Sequence, residues 1–282
     1  MKKLKLKFLT FFLLFHFKVL AIFSKRRAAQ KALHIFRTPA RRSKKEPTEL
    51  FRRAEKLEFD FNGTTIRGFR WANPGKRKAI ILHGHESSVL NFEMYIQGLL
   101  NKEYEVLAFD APAHGISEGE SINALEYRDF IIHIHEKYGP VQSYIGHSFG
   151  GLAIPLAMEK IRHDASYRLA LIAPATETTT TINRFFKMLR LKDKKVKEHF
   201  EKQIIEIGGN PSSWYSVSRA MRHIKAGVIW AHDERDPVTP IEDALKVKEQ
   251  NYPNIKFVIT RGLGHNQIYR DENVVNEIVG FL

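Results

Sequence analysis

Gly146-His147-Ser148-Phe149-Gly150 sets a serine two residues from a glycine on either side. A serine hydroxyl is a weak nucleophile at neutral pH and needs a general base, normally a histidine oriented by a carboxylate. Downstream, VIWAHDERDPVTP puts Asp236 just past one apolar run, and KFVITRGLGHNQ puts His265 just past the next. Ser148, Asp236 and His265 are therefore the candidate nucleophile, acid and base, in that chain order, with Asp233 on the same loop as the alternative acid. With glycine and serine each near 7% of residues, a chain of this length holds about 0.1 such pentapeptides by chance. The competing use of the pentapeptide is a βα loop that cradles phosphate on the following helix N-terminus.

The elements that must position these groups read as an α/β sheet. LEFDF and TIRGFRW flank Asn62-Gly63, a two-residue hairpin signal, so the first two strands should be antiparallel. Six continuous apolar runs follow, as buried parallel strands require: 79–83, 106–110, 142–146, 169–173, 228–231 and 256–260. Helical stretches at 91–101, 122–138, 149–163, 241–250 and 271–282 supply the crossovers. The expected fold is an eight-stranded, mostly parallel sheet flanked by helices. One interval, about 176–226, is too long for a plain crossover and carries Phe185, Phe186, Phe200, Trp214 and Tyr215, which points to a helical cap. Groups placed just after strands collect at the carboxyl edge of such a sheet.

Five motifs in this order, His83-Gly84, DAPAHGIS from Asp110, GHSFGG, DERDPVTP and GLGH, resemble those of the α/β-hydrolase fold superfamily from about Lys56 to Leu282. The resemblance implies a Ser148–Asp236–His265 triad and an oxyanion hole built from the backbone N–H groups of Phe149 and His85. It implies a serine hydrolase cleaving carboxylic esters through an acyl-enzyme, without cofactor or metal. Thioesters, amides and carbon–carbon bonds are alternatives on the same triad, and a non-catalytic scaffold is the alternative outside it. Ala113 stands where the superfamily usually has glycine, and Asp233 where the acid loop often has one. His83, His85, Asp110 and His114 could be drawn as a metal site, but they fall in the two loops expected to brace the nucleophile. His147 reads as a packed or hydrogen-bonded neighbour of Ser148.

The formal charge of +14 suggests a nucleic-acid binder until it is located. Residues 1–45 hold 14 basic side chains and no acidic one, whereas 46–282 hold 31 of each. The domain from residue 46 is thus neutral, and no nucleic-acid partner is expected. Phe8–Phe23 has 13 apolar residues of 16 between basic flanks. As a helix it is about 24 Å long, short of a roughly 30 Å hydrocarbon core. Residues 1–45 are expected to be a membrane-associating segment, with packing on the catalytic domain as the alternative and a cleaved signal peptide disfavoured for want of an A-x-A-like site. The expected location is the membrane or the cytoplasm. No cysteine is present, which removes disulfides and a cysteine nucleophile.

Overall fold

The computed structural model describes residues 16–43, 45–73 and 77–282. The part of the apolar run before residue 16 lies outside them. Two compact units emerge, one formed by residues up to Thr38 with Glu177–Tyr215, the other by Pro39–Thr176 with Ser216–Leu282.

The larger unit is an eight-stranded sheet of β1 (Glu55–Phe61), β2 (Thr64–Trp71), β3 (Lys78–Leu82), β4 (Glu105–Phe109), β5 (Ser143–His147), β6 (Arg168–Ile172), β7 (Gly227–Asp233) and β8 (Ile255–Thr260), in the order β1-β2-β4-β3-β5-β6-β7-β8. β1 pairs antiparallel with β2 through Asn62 and Gly63, both left-handed, and β2 pairs antiparallel with β4. Every other pair is parallel. The central strands are buried on both faces, which is why they read as unbroken apolar runs. Ala79, Ile81, Val106, Ala108, Ile145, Ala170, Ile172 and Ile229 join one core cluster with Tyr95, Ile96, Leu99, Val275 and Ile278.

In the smaller unit residues 16–23 are helical and lead into helix α1 (Lys25–Arg37); the longer helices of the sheet unit before the insertion are α2 (Glu93–Asn101), α3 (Ala124–Tyr138) and α4 (Phe149–Met158). The insertion between β6 and β7 supplies α5 (Thr178–Met188) and α6 (Lys194–Gly208), and the chain ends with α7 (Ile241–Lys248) and α8 (Glu272–Phe281). Helix α4 stops five residues short of the sequence expectation, at Met158 rather than His163.

In the smaller unit the Ala-rich face of α1 is a packing face: Ala28, Ala29, Ala32 and Leu33 are buried. They share a cluster with Phe17 and Ala21 and with Ile182, Phe186, Val196 and Phe200 of the insertion. Small side chains let a helix approach its partner closely, leaving room for the larger rings beside it. Phe36 meets Phe185 and Phe200 edge-on at 5.1 and 5.7 Å, and Lys25 pairs with Asp193, the N-cap of α6. Among the described residues no helix is long and apolar enough to cross a membrane.

Phe200 is wholly buried while Ile207, half a helix on, is about half exposed. Phe200→Ala should destabilise the smaller unit by about 3–5 kcal/mol, and Ile207→Ala by no more than about 0.5 kcal/mol. Urea unfolding followed at Trp214, which this unit carries, checks the difference.

Candidate active site

β5 ends at His147 and α4 begins at Phe149, so Ser148 alone makes the turn between strand and helix. Its backbone sits at φ 54°, ψ −110°, a region that costs a non-glycine residue about 1–3 kcal/mol. Three hydrogen bonds hold it there: the Ser148 N–H donates to Ile172 O at 2.9 Å, and the Leu152 and Ala175 N–H groups donate to Ser148 O at 3.1 and 3.0 Å. The flanking glycines supply room. A Cβ on Gly146 would come within 2.8 Å of the Gly150 carbonyl, and one on Gly150 within 2.8 Å of the Leu82 and His83 carbonyl oxygens.

The other two candidate groups reach this turn from the ends of β7 and β8. His265 Nε2 lies 3.0 Å from Ser148 Oγ, and its Nδ1 lies 2.7 Å from Asp236 Oδ2. All three side chains are largely buried, at 9%, 8% and 7% exposure for Ser148, Asp236 and His265, so water screens this chain of contacts little. Asp236 Oδ1 accepts the N–H groups of Val238 and Thr239 at 2.7 and 2.9 Å. Burial works to raise the Asp236 carboxyl, but the hydrogen bonds from His265, Val238 and Thr239 outweigh it and hold the group below its ordinary value.

Asp233, the alternative acid, is placed elsewhere. Its Oδ2 accepts the Thr260 hydroxyl at 2.8 Å and the Leu263 N–H at 2.9 Å, and its Oδ1 accepts the Arg235 N–H at 2.9 Å. It ties the loop carrying His265 to the end of β7. Burial again opposes ionisation and these hydrogen bonds prevail, so its carboxyl also lies below the usual range.

The loop after β3 presses on the nucleophile: a Cβ on Gly84 would stand 3.0 Å from Ser148 Cβ. His85 follows, exposed, its ring edge-on to Phe149 at 6.2 Å. Phe149 is the first residue of α4, where backbone N–H groups have no acceptor within the helix. Asp110 braces this loop against the one after β4, accepting the Val89 N–H at 2.9 Å and the Ile116 N–H at 3.0 Å. Burial raises its carboxyl even so. Ala113, in the same loop, takes the left-handed conformation (φ 69°) for which glycine is usual.

His83 and His114 are not placed as a ligand pair. His83 Nδ1 donates to Gly84 O at 2.7 Å and its Nε2 accepts the Ala111 N–H at 2.9 Å, which occupies both nitrogens. His114 Nδ1 donates to Pro112 O at 2.9 Å. Burial lowers His83 to about 4, and lowers His114 and His147 to about 3. All three are neutral near pH 7.

Several contributors carry no sequence signal as strong as the triad's. The Thr239 hydroxyl lies 2.8 Å from Asp236 Oδ2 and 3.2 Å from Ala173 O. His232 Nε2 donates to Thr239 O at 2.8 Å beneath it. The basic run after Pro39 is pinned to loops beside Ser148: the Ala40 N–H donates to Glu86 at 3.0 Å, Arg42 to the carbonyls of Ser117 and Gly119, and Lys45 to Leu90 O at 2.6 Å.

A model of the alpha/beta hydrolase family matches residues 79–202. A Mycoplasma pneumoniae protein named esterase/lipase 2 is 25% identical over 236 residues, covering 71% of this chain and 87% of its own length. The uncharacterized hydrolase YugF of Bacillus subtilis is 30% identical over 107 residues, 36% of this chain and 39% of its own. The Pyrococcus furiosus esterase Pf2001 superposes with a TM-score of 0.65 at 22% identity, over 87% of this chain and 95% of that one, a likeness of fold. Sheet order, the strained serine turn and these likenesses agree: the chain has the α/β-hydrolase fold, and its residues 79–202 match the family model.

Proposed function

We propose that the protein is a serine hydrolase that cleaves carboxylic esters through an acyl-enzyme. The observation that carries this reading is His265 standing between Ser148 Oγ and Asp236 Oδ2 at 3.0 and 2.7 Å. As Ser148 Oγ attacks the ester carbonyl carbon, His265 Nε2 takes the hydroxyl proton, and the ionised Asp236 stabilises the resulting imidazolium through Nδ1. The backbone N–H groups of Phe149 and His85 hold the tetrahedral oxyanion. His265 returns the proton to the departing alkoxide, leaving Ser148 acylated. Water then attacks the acyl carbon with His265 again as base, and collapse releases the acid and restores the Ser148 hydroxyl. His83, His114 and His147 remain neutral throughout and take no proton in this cycle.

The same reading places the protein at an anionic lipid surface through residues 1–45. Ile22 and Phe23 are 75% and 83% exposed. Beside them α1 exposes Arg26, Arg27 and Lys31 with no acidic residue on the helix. A basic helix led by exposed apolar side chains is the composition of an interfacial anchor. Apolar or lipid-like esters are the substrates such a placement suits.

Ser148→Ala should abolish p-nitrophenyl ester hydrolysis and labelling by a fluorophosphonate; unchanged labelling would sink the proposal. Asp236→Asn should lower kcat by about four orders of magnitude, whereas Asp233→Asn should stay within about tenfold of the parent. The reverse ranking in a steady-state assay would move the acid to Asp233. Ile22→Ser with Phe23→Ser should reduce sedimentation of the full chain with phosphatidylglycerol-containing vesicles, and equal sedimentation on neutral and anionic vesicles would remove the anchor.

Acid should unfold the protein more readily than a typical hydrolase core. In the unfolded chain histidines titrate near 6.5, whereas His83, His114 and His147 titrate in the fold at about 4, 3 and 3. Folded values below the unfolded one mean that unfolding takes up protons below pH 6.5. Stability is therefore complete above that pH and falls as pH drops toward about 4. Asp110, raised in the fold, opposes this by up to one proton. Urea midpoints measured from pH 7 to 4 should show net uptake of about two to three protons on unfolding, reduced by about one in His114→Asn.

A further inference from the structure

His147 occupies the variable position of the serine pentapeptide, and the mechanism above leaves it idle. It is 3% exposed, and its ring packs between those of His265 and Tyr269, with centroids at 4.7 and 4.4 Å. Its Nε2 lies 3.0 Å from the backbone carbonyl oxygen of His265. A carbonyl can only accept, so this contact requires the proton on Nε2. Nδ1 is then a bare acceptor, and it has no hydrogen-bond partner. A Cβ on Gly84 would stand 3.0 Å from it, so the backbone of the loop after β3 closes over that nitrogen.

The segment that delivers His265 packs Ile268 and Tyr269 into the core beyond the histidine, but it enters through two glycines. Gly262 and Gly264 both take left-handed backbone (φ 92° and 59°), and only a four-residue helix, Gly264–Gln267, carries the histidine. Asp233 secures the front of the loop at Leu263, and Asp236 secures the ring of His265. The carbonyl of His265 itself is held by His147, one residue from the nucleophile and 118 residues away in sequence.

We infer that His147 is a positioning residue for the base: its Nε2–H fixes the His265 backbone to the same turn that carries Ser148, so that base and nucleophile share one reference point. This rests on the triad reading above. Burial puts protonation of His147 near pH 3, so near neutral pH the ring holds the His265 carbonyl without setting a positive charge beside the base. A glutamine at this position can present an amide N–H near the place of Nε2, whereas phenylalanine keeps a ring and presents none.

The test compares His147→Phe and His147→Gln in the full-length chain. His147→Phe should lower kcat for a soluble p-nitrophenyl ester and the fluorophosphonate labelling rate by roughly ten- to a hundredfold with KM unchanged, since a misplacement near 1 Å is enough for such a loss. His147→Gln should recover most of both. Full kcat in a folded His147→Phe protein, or a loss that Gln does not restore, would overturn the inference. If His147→Phe does not fold, the ¹⁵N tautomer of His147 in the parent protein decides: protonation at Nε2 supports the contact, and protonation at Nδ1 removes it. Failure of the triad reading is separately visible, because Ser148→Ala would then be labelled as fast as the parent.

Discussion

Ser148 projects its hydroxyl from the edge of the sheet because a single residue, with no loop around it, joins β5 to α4 in a left-handed turn. That bend is intrinsically unfavourable, so its surroundings must impose it. The Ile172 and Ala175 contacts come from β6 and the chain just after it, and the Leu152 contact comes from the first turn of α4. The turn is therefore only as stable as the β5–β6 register and the helix that follows. A side chain at either flanking glycine would push its Cβ against backbone carbonyls, where no side-chain rotation can relieve the clash.

From this fixed point the rest of the site is arranged by backbone anchoring. Asp236 sits three residues beyond β7 and His265 five beyond β8, and both are tied down by hydrogen bonds to main-chain groups. Thr239, Asp233 and His147 each bind the backbone of a neighbouring element, so three separate ties set the place of one imidazole ring. A shift of any parallel strand by one residue would turn its side chains to the other face, which is why precision at the site depends on a core that touches no substrate.

Much of this was legible in the chain. Strands buried on both faces read as continuous apolar runs, and the expected strand and helix bounds fall within a few residues of those found, except at the C-terminal end of α4. Lateral order was not legible: β4 lies between β2 and β3, and an apolar run carries no information about which neighbour it pairs with. Asp233 and Asp236 are the same residue type three positions apart, so only the path of the loop separates the one bound to backbone from the one bound to His265. The partners of the Ala-rich stretch of α1 were not legible, because Val196 and Phe200 lie more than 160 residues downstream. His147 was visible as a neighbour of Ser148, but its carbonyl partner was not.

The location of charge changes meaning once the two units are distinguished. Residues 1–38 and 177–215 together hold 18 Lys and Arg against 5 Asp and Glu, leaving the sheet unit with 27 against 26. Almost all of the net charge of +14 therefore belongs to the unit without Ser148. The ionisation states around Ser148 follow from local causes: burial for the histidines, and hydrogen bonds that overcome burial for Asp236. Salt should act on whatever surface the basic unit meets. Acid acts the other way, because it reaches the buried histidines only by opening the sheet unit that holds them.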